Sequence, residues 1–313
     1  MPHWKILITD GLHPKGIAIL NDFAQVDDRP GLRGSDLLGL VADYHALIVR
    51  GQTRVTAPLL QAAANLKVVG RAGVGVDNID LAAAQSRGVT VVNTPTATTI
   101  AVAEHTLGLM LALIRHIPQA NSSMKSGLWQ KKQFLGSELH GKTLGIIGMG
   151  NIGRAVAQRA AAFGMKILGH DPLLPDAEIE ARGAAPVPLQ ELYARADFIS
   201  LHVPLTPQTR GMINGQSLGH TKRGVYLICT ARGGQIDEIA LLNALETGQV
   251  AGAALDVFAS EPPGLSALVA HPNVIAAPHL GAQTAESQAR AAVDIAGEVI
   301  AALRGSPLHW KIV

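Results

Sequence analysis

The sequence contains a single cysteine, Cys229, among its 313 residues. One thiol cannot form an internal disulfide, so we expect a protein of a reducing compartment, the cytoplasm. The excess of positive charge is also small, at a net +2, which favours neither nucleic acid nor an anionic membrane as a partner. The most apolar helical segment, residues 106–114, is far shorter than the roughly 20 residues that span a bilayer. We therefore expect no contact with a membrane.

Several catalytic motifs are missing as well. The histidines are scattered and neither HExxH nor CxxC occurs, so we expect no metal site. No nucleophile elbow is present, and no histidine accompanies Cys229 in a recognisable motif. Residues 1–10 lack the long apolar segment of a signal peptide and predict a β-strand instead.

The sequence does contain a regular alternation of apolar segments and helical patterns. A chain of this length is typical of about two domains. The alternation predicts parallel sheets with helices on both faces, so the predicted fold class is α/β with two Rossmann-like domains. The predicted strands are residues 4–10, 46–49, 66–69 and 89–92 in the first unit, and residues 143–147, 165–168, 198–201, 225–229, 252–255 and 274–276 in the second.

Two long helices complete this prediction. One covers about residues 100–125, with Pro118 either inside it or breaking it. The other covers about residues 284–304 and precedes a short strand at residues 308–313. Because a helix of that length can carry the chain back to the first unit, we expect that unit to be discontinuous. The predicted domains are residues 1–98 plus 286–313, and residues 99–285.

Residues 142–171 have the order of a dinucleotide-binding βαβ unit. The predicted strand ends in Gly148-x-Gly150-x-x-Gly153, and a helical pattern and a second strand follow. Gly148 allows the tight turn, Gly150 lets the backbone approach a pyrophosphate, and Gly153 lets helix and strand pack closely. The helix N-terminus adds free N–H groups for the phosphates. A glycine-rich loop alone occurs in many α/β proteins, but the complete order predicts a bound dinucleotide.

Asp171 closes this unit and distinguishes between the two nicotinamide cofactors. Its carboxylate is placed to accept hydrogen bonds from the adenosine ribose, and it would repel a 2′-phosphate. No arginine follows among Pro172, Leu173 and Leu174. The sequence therefore favours NAD over NADP.

Further candidates follow predicted strands of the second unit, where ligands of open α/β sheets bind. Arg232 offers a guanidinium that matches a carboxylate, and Asp256 could accept a bond from the nicotinamide carboxamide. His279 exchanges a proton near neutral pH, and a carboxylate such as Glu261 would stabilise its charged form. On spacing alone, an ordinary surface arginine explains Arg232 equally well, and solvated loop acids explain Asp256 and Glu261 better than a binding site does. The position of all three segments at one sheet edge favours a shared site.

These residues resemble the D-isomer-specific 2-hydroxyacid dehydrogenases, most closely the D-3-phosphoglycerate dehydrogenase branch. The resemblance covers almost the whole chain and is densest between residues 70 and 284. Its motifs, in chain order, are GRAGVGVDNIDL, NTP, AEHTLGLMLAL, GKTLGIIGMGNIG, GHDP, HVPLTPQT, ARGGQIDE, GAALDVF-x-x-EPP and PHLGAQT. So many motifs in one order are specific for the family and less specific for its substrate.

The resemblance implies a flavodoxin-like substrate-binding domain, an NAD-binding domain, a cleft between them and a homodimer formed through residues 100–126. It implies that Arg232 binds the substrate carboxylate and that His279 is the acid/base, with Glu261 as its partner. The implied NAD contacts are Gly148, Gly150, Asn151, Ile152, Gly153, Asp171, His202, Val203, Pro204, Thr209, Thr230, Ala231, Asp256 and Gly281. The implied substrate contacts are Arg50, Gly51, Gly73, Val74 and Gly75.

The chain departs from the family pattern at several positions. Cys229 replaces a frequent asparagine, Gly51 replaces a usual serine, and Val74 replaces a threonine common in phosphoglycerate dehydrogenases. The printed chain ends at Val313, so we expect no serine-binding regulatory domain in it. The expected substrate is D-3-phosphoglycerate, an intermediate of serine biosynthesis. Candidate phosphate partners are Arg50, Arg71 and, across a dimer, Lys131 or Lys132, although each is otherwise an ordinary surface charge.

Other functions stay open at this point. Hydroxypyruvate or glyoxylate reduction needs the same three catalytic residues and a smaller substrate. Oxidation of sulfolactate or phosphite is more distant, and formate oxidation is disfavoured because relatives with that activity have glutamine in place of Glu261. An NAD-sensing interaction protein, as among the corepressors of the family, is the alternative outside enzymes.

Overall fold

The computed structural model describes residues 4–313, which form two compact units. The first unit consists of the chain up to Thr98 together with Ala282–Val313, and the second is Thr99–Gly281. The chain returns to the first unit at Ala282, four residues before the predicted return at residue 286.

The first unit contains a five-stranded parallel sheet. Its strand order, β2-β1-β3-β4-β5, is the order of flavodoxin-like folds, as the resemblance implied. The central strand β3 is buried along its whole length because helices cover both faces of the sheet. The strands are β1 (Lys5–Ile8), β2 (Gln25–Asp28), β3 (Ala46–Val49), β4 (Val68–Arg71) and β5 (Thr90–Val92).

The last helix of the chain packs on this sheet. A Cβ added to Gly70 in β4 would lie 2.7 Å from the side chain of Val299, and one added to Gly16 would lie 2.5 Å from the carbonyl oxygen of Ala292. Glycine at these two positions therefore lets the C-terminal helix approach both the sheet and the first helix. The helices of the unit are α1 (Pro14–Asn21), α2 (Gly34–Leu40), α3 (Ala57–Ala62), α4 (Leu81–Ser86) and α13 (Ala285–Arg304).

The second unit contains a seven-stranded parallel sheet in the order β12-β11-β10-β9-β6-β7-β8. Counted from β6, this is the dinucleotide-binding order 3-2-1-4-5-6 with one further strand. The order reverses between β6 and β9, which makes the carboxyl ends of these two strands the switch point where ligands bind. The strands are β6 (Thr143–Ile147), β7 (Lys166–His170), β8 (Ala185–Pro186), β9 (Phe198–Leu201), β10 (Val225–Cys229), β11 (Val250–Leu255) and β12 (Val274–Ala276).

Eight helices surround this sheet in the described part of the unit. The longest is α5, and it packs against α7 and β11 through an apolar, mostly buried surface. The helices are α5 (Thr99–Ile114), α6 (Ile117–Lys125), α7 (Asn151–Ala162), α8 (Asp176–Ala181), α9 (Leu189–Arg195), α10 (Gly215–Gly219), α11 (Glu238–Glu246) and α12 (Ala267–Ala270).

The structure corrects the predicted elements in several places. Strands β2 and β8 were not predicted, because β2 is a polar edge strand (QVDD) and β8 has only two residues. The predicted helix over residues 100–125 is two helices, α5 and α6, bent by 63° where His116 has a left-handed φ of 53°. The predicted terminal strand, residues 308–313, is reduced to an isolated antiparallel bridge between Val92 and Lys311.

No single helix between residues 4 and 313 has the length and apolar character needed to cross a membrane. The pair α5 and α6 meets the length and composition criterion only when the two are joined across their bend.

Candidate active site

The dinucleotide motif lies where β6 ends and α7 begins. Gly148 has a positive φ of 94°, and a Cβ there would lie 2.7 Å from the carbonyl group of His202. A Cβ on Gly153 would lie 2.0 Å from the carbonyl oxygen of Gly148, so only glycine lets the helix approach the loop. Gly150 precedes α7, and an added Cβ there would have no neighbour within 4 Å. This packed loop with one open side fits a pyrophosphate at a helix N-terminus.

Asp171 follows β7 and contacts this loop. Its Oδ2 accepts a hydrogen bond from the amide of Met149 at 2.9 Å, and its Oδ1 accepts one from the amide of Leu173 at 3.0 Å. The residue is partly exposed, and each oxygen keeps a second lone pair for a ribose hydroxyl. Asp171 therefore orders the glycine loop and still fits the predicted ribose contact.

The loop after β9 forms the other side of the switch point. Its His202 has Nε2 2.8 Å from Oγ of Ser200, while Nδ1 is buried and has no hydrogen-bond partner among residues 4–313. Burial lowers the pKa of His202 to about 4, so this ring is neutral near pH 7. Thr209 donates its hydroxyl to the carbonyl of Pro204 at 2.6 Å and thereby fixes the loop.

Three neighbouring strands bring the predicted catalytic residues to one edge. Strands β10, β11 and β12 pair in parallel, and Arg232, Glu261 and His279 follow their carboxyl ends. A Cβ on Gly233 would lie 1.7 Å from the carbonyl oxygen of Phe258. The turn that carries Arg232 therefore packs directly on the segment that leads to Glu261.

His279 and Glu261 form a hydrogen-bonded pair. Nδ1 of His279 lies 2.8 Å from Oε2 of Glu261, and the other carboxylate oxygen accepts a bond from the amide of Phe258 at 3.1 Å. The side chains are 50% and 38% exposed, so a small molecule can reach them. With its proton on Nδ1, the imidazole presents Nε2 to a ligand as a proton acceptor.

Asp256 holds the turn that carries His279. The carboxylate is fully buried, with Oδ1 accepting from the amide of Leu280 at 2.7 Å and Oδ2 from that of Gly281 at 2.8 Å. The amide of His279 donates to the Asp256 carbonyl at 2.9 Å. His279 has a left-handed φ of 57°, which is costly for a residue with a Cβ, so these bonds stabilise an otherwise unfavourable conformation.

Helix α5 supplies two contacts that the sequence analysis missed. Oγ1 of Thr106 lies 3.0 Å from Oγ1 of Thr230, directly after β10, and Nε2 of His105 lies 3.2 Å from Oδ1 of Asp256, directly after β11. Adjacent residues of one helix thus contact adjacent strand ends. The available signal was a run of three polar residues, Glu104 to Thr106, in a largely apolar helix.

In the first unit, Asp10 organises the predicted substrate segment that follows β3. Its Oδ2 accepts hydrogen bonds from the amides of Arg50, Gln52 and Thr53 at 2.8, 3.1 and 3.1 Å. The amide of Arg50 is therefore occupied, and its side chain and the exposed Gly51 are the groups left for a ligand. The sequence analysis did not identify Asp10, which is 40 residues away in the chain.

The second predicted substrate segment, Gly73–Gly75, follows β4. Asn93 donates to the carbonyl of Val74 at 2.7 Å, and the amide of Thr94 donates to the carbonyl of Gly73 at 3.0 Å. Within residues 4–313, the amides of Val74 and Gly75 have no hydrogen-bond acceptor. Two adjacent free N–H groups are typical of an anion-binding loop.

The remaining candidates are less informative. Arg71 ends β4, with Nη1 3.4 Å from the carbonyl oxygen of Ala72, and Lys131 and Lys132 are exposed residues of a one-turn 3₁₀ helix in the second unit. No group of three or more histidine, cysteine, aspartate or glutamate residues is placed to hold a metal ion in the part of the chain from residue 4 onward.

Comparison with known proteins decides the family. Residues 107–281 match the model of the D-isomer specific 2-hydroxyacid dehydrogenase NAD binding domain. The chain belongs to the D-isomer specific 2-hydroxyacid dehydrogenase family. The resemblance noted in the sequence is therefore confirmed, and the cofactor of the second unit is NAD.

Likenesses that cover nearly all of this chain agree with this family. The chain is 48% identical over 308 residues to D-3-phosphoglycerate dehydrogenase of Synechocystis sp., covering 98% of this chain and 56% of that protein. It therefore spans little more than half the length of this curated relative. A glyoxylate reductase from Paecilomyes thermophila has a TM-score of 0.91 at 32% identity, covering 100% of this chain and 99% of the other. A D-lactate dehydrogenase from Aquifex aeolicus, complexed with NAD and lactic acid, has a TM-score of 0.84 at 31% identity over 96% of each chain.

The family's NAD-binding domain contains two groups of the candidate residues. The glycine motif, Asp171 and the segment 202–209 surround the switch point, and the Glu261–His279 pair lies at the edge formed by β10, β11 and β12. The candidates of the first unit lie apart from these in the chain, after β3 and β4.

Proposed function

We propose that this chain is an NAD-dependent dehydrogenase of D-2-hydroxy acids that oxidises D-3-phosphoglycerate to 3-phosphohydroxypyruvate, a step of serine biosynthesis. The observation that carries the activity is the 2.8 Å pair of His279 and Glu261, which leaves Nε2 facing an accessible edge. The likeness to D-3-phosphoglycerate dehydrogenase at 48% identity supports the substrate.

The proposed chemistry assigns one task to each side chain. His279 accepts the proton of the substrate hydroxyl on Nε2, and Glu261 stabilises the imidazolium that results. Arg232 binds the substrate carboxylate through its guanidinium fork and so orients the C2 carbon. Bound NAD supplies the acceptor for the C2 hydride. The glycine motif, Asp171 and the segment 202–209 hold that cofactor.

We assign the substrate-binding role to the first unit, close to residues 1–98 plus 286–313, and the NAD-binding role to residues 99–285. The free amides of Val74 and Gly75 suit one anionic end of the substrate. The proposed partners of the phosphate are Arg50, Arg71 and, across the proposed dimer, Lys131 or Lys132.

A homodimer in the cytoplasm is part of the same proposal. The segment from α6 to residue 135 exposes large apolar side chains, including Trp129 at 80% and Leu135 at 88% exposure, which is typical of an association surface. A single cysteine suits a reducing compartment. Light scattering of the purified protein tests the dimer, and a mass near 32.7 kDa would contradict it.

Reduction of hydroxypyruvate or glyoxylate is the second candidate. It is favoured by the likeness to a glyoxylate reductase over the full length of both chains. This reaction uses the same catalytic residues as the oxidation of D-3-phosphoglycerate. The residues proposed to bind the phosphate would have no role in it, because the substrate carries no phosphate. An NAD-binding protein without turnover is the third candidate, and only an activity measurement distinguishes it.

The deciding experiment is initial-rate NADH oxidation with 3-phosphohydroxypyruvate, hydroxypyruvate and glyoxylate side by side. We expect a kcat/KM for the phosphorylated acid at least about tenfold above the others, since a phosphate adds charge-assisted hydrogen bonds. Preference for an unphosphorylated acid would replace the proposed substrate by that of the second candidate. NADH binding without turnover of any acid would contradict the proposal that this chain is an enzyme and would favour the third candidate.

A further inference from the structure

We propose that Gln235 is a positioning residue that joins the loop carrying Arg232 to the cofactor loop after β9. The proposal rests on the proposed function, because its effect is read through Arg232. It assigns a task to a side chain in the ARGGQIDE motif that neither the cofactor nor the substrate contacts explain.

The burial of Gln235 is the first observation. Its side chain is fully buried, where an amide is costly unless both its ends are bonded. Nε2 donates to the carbonyl oxygen of Val203 at 2.7 Å, a bond between residues 32 positions apart. Val203 lies between His202 and Pro204 in the loop at the switch point, so this bond holds the backbone of the proposed cofactor loop.

The other end of the amide leads to Arg232 through Cys229. The thiol sulfur of Cys229 lies 3.7 Å from Oε1 of Gln235 and 3.7 Å from the carbonyl oxygen of Arg232. Burial raises the pKa of this thiol to about 11, so it keeps its one proton, which either of these two oxygens can accept. A continuous polar path therefore runs from Val203 through Gln235 and Cys229 to the backbone of Arg232.

The backbone around Gln235 is held independently of this path. The amide of Ile213 donates to the carbonyl of Gln235 at 3.1 Å, and the amide of Gly211 donates to that of Gly234 at 2.8 Å. Since these bonds do not involve the side chain, a substitution at Gln235 leaves the loop anchored. What is lost is the link between the two functional loops.

Gln235→Met tests this link, because methionine has nearly the same length and neither donor nor acceptor of comparable strength. We expect kcat/KM for the 2-oxo acid to fall about tenfold in the otherwise native enzyme, as when a buried polar partner is left unpaired. The matched control is Gln216→Met, which makes the same change at an exposed position of α10.

A double-mutant cycle with Arg232→Lys separates positioning from a general structural role. If Gln235 acts through Arg232, adding Gln235→Met to Arg232→Lys lowers kcat/KM by less than about twofold. An equal loss in both backgrounds, or no loss in either, overturns the proposal. Cys229→Ala takes the place of Gln235→Met in the same cycle if that variant does not fold.

The outcomes distinguish this inference from the proposed function. If the unsubstituted protein turns over none of the 2-oxo acids, the proposed function is contradicted. The proposed role of Gln235 is then contradicted as well, because it depends on that function. Turnover combined with an additive cycle contradicts the role of Gln235 alone. Fluorescence titration with NADH establishes that each variant is folded before its rates are compared.

Discussion

The carboxyl edges of the two sheets are shaped by different means. In the second unit, the loop at the switch point is shaped by glycines whose missing Cβ atoms let Gly148 and Gly153 pack against backbone carbonyls. In the first unit, the corresponding loops are held by polar side chains that bond to the backbone, with Asp10 on the segment after β3 and Asn93 on the one after β4. The proposed ligands account for this difference. NAD is long and must approach the backbone closely, whereas a small acid needs only a few backbone N–H groups that have no partner within the protein.

The turn of the second unit that carries His279 is held by a polar side chain, like the loops of the first unit. Asp256 fixes the backbone around His279, as Asp10 fixes that around Arg50, but its carboxylate is fully buried whereas Asp10 is partly exposed. Rigid support of this kind suits a residue whose ring must stay aligned for proton transfer. The difference predicts which substitutions affect turnover, which affect cofactor binding and which affect substrate binding.

The largest effect is expected from His279→Asn. Asparagine can still donate to Glu261 but has no atom in place of Nε2, so kcat should fall by about 10²-fold or more. The affinity for NADH, measured by fluorescence titration, should be unchanged because the glycine loop is untouched. A kcat within a few-fold of the native value would remove His279 from the mechanism.

A pair of glycine substitutions separates packing from ligand approach in the second unit. Gly153→Ala places a Cβ 2.0 Å from a carbonyl oxygen and should lower the melting temperature by several degrees, since overpacking costs about 1–3 kcal/mol. Gly150→Ala meets no neighbour and should leave the melting temperature unchanged while weakening NADH binding about tenfold.

Calorimetry and NADH titration of both variants provide the check. If Gly150→Ala leaves NADH binding unchanged, the open side of the loop is not the pyrophosphate site. Equal melting temperatures for the two variants would contradict the close packing at Gly153.

Asp10→Asn tests the first unit. With its oxygen on these three N–H groups, asparagine places its NH₂ group where Oδ1 now accepts a bond from the Thr53 hydroxyl. A neutral amide oxygen also binds the N–H groups more weakly than a carboxylate does, so the loop after β3 should lose order. We expect KM for the 2-oxo acid to rise about fivefold, with the affinity for NADH unchanged. The matched control is Asp22→Asn, the same change at an exposed residue after α1. A parallel loss of NADH affinity would show that the two edges are not independent.

The sequence allowed the second unit to be predicted more completely than the first. Its glycine motif, Asp171 and the strand ends before Arg232 and His279 are local signals, and strands β6, β9, β10 and β12 lie at their predicted bounds. In the first unit, β2 has no apolar pattern, and the contribution of Asp10 depends on contacts with residues 40 or more positions away.

The contacts that were missed in the second unit have the same cause. Thr106 lies 124 residues from Thr230, and Gln235 lies 32 residues from Val203. No spacing rule connects such pairs, because their proximity is created by the order of the strands in the sheet. Pro118 indicated where the long helix could break. It did not indicate that the chain would bend by 63° at His116.

The smallest effect concerns Cys229, which has no counterpart at the edge of the first unit. Because burial raises its pKa to about 11, almost no thiolate exists near pH 8, and the sulfur is shielded from solvent. We expect no reaction of the native protein with dithionitrobenzoate and one equivalent after unfolding in urea, while Ser126→Cys, at an exposed position, reacts at once. Rapid labelling of Cys229 in the native protein would mean that the turn before Arg232 opens in solution.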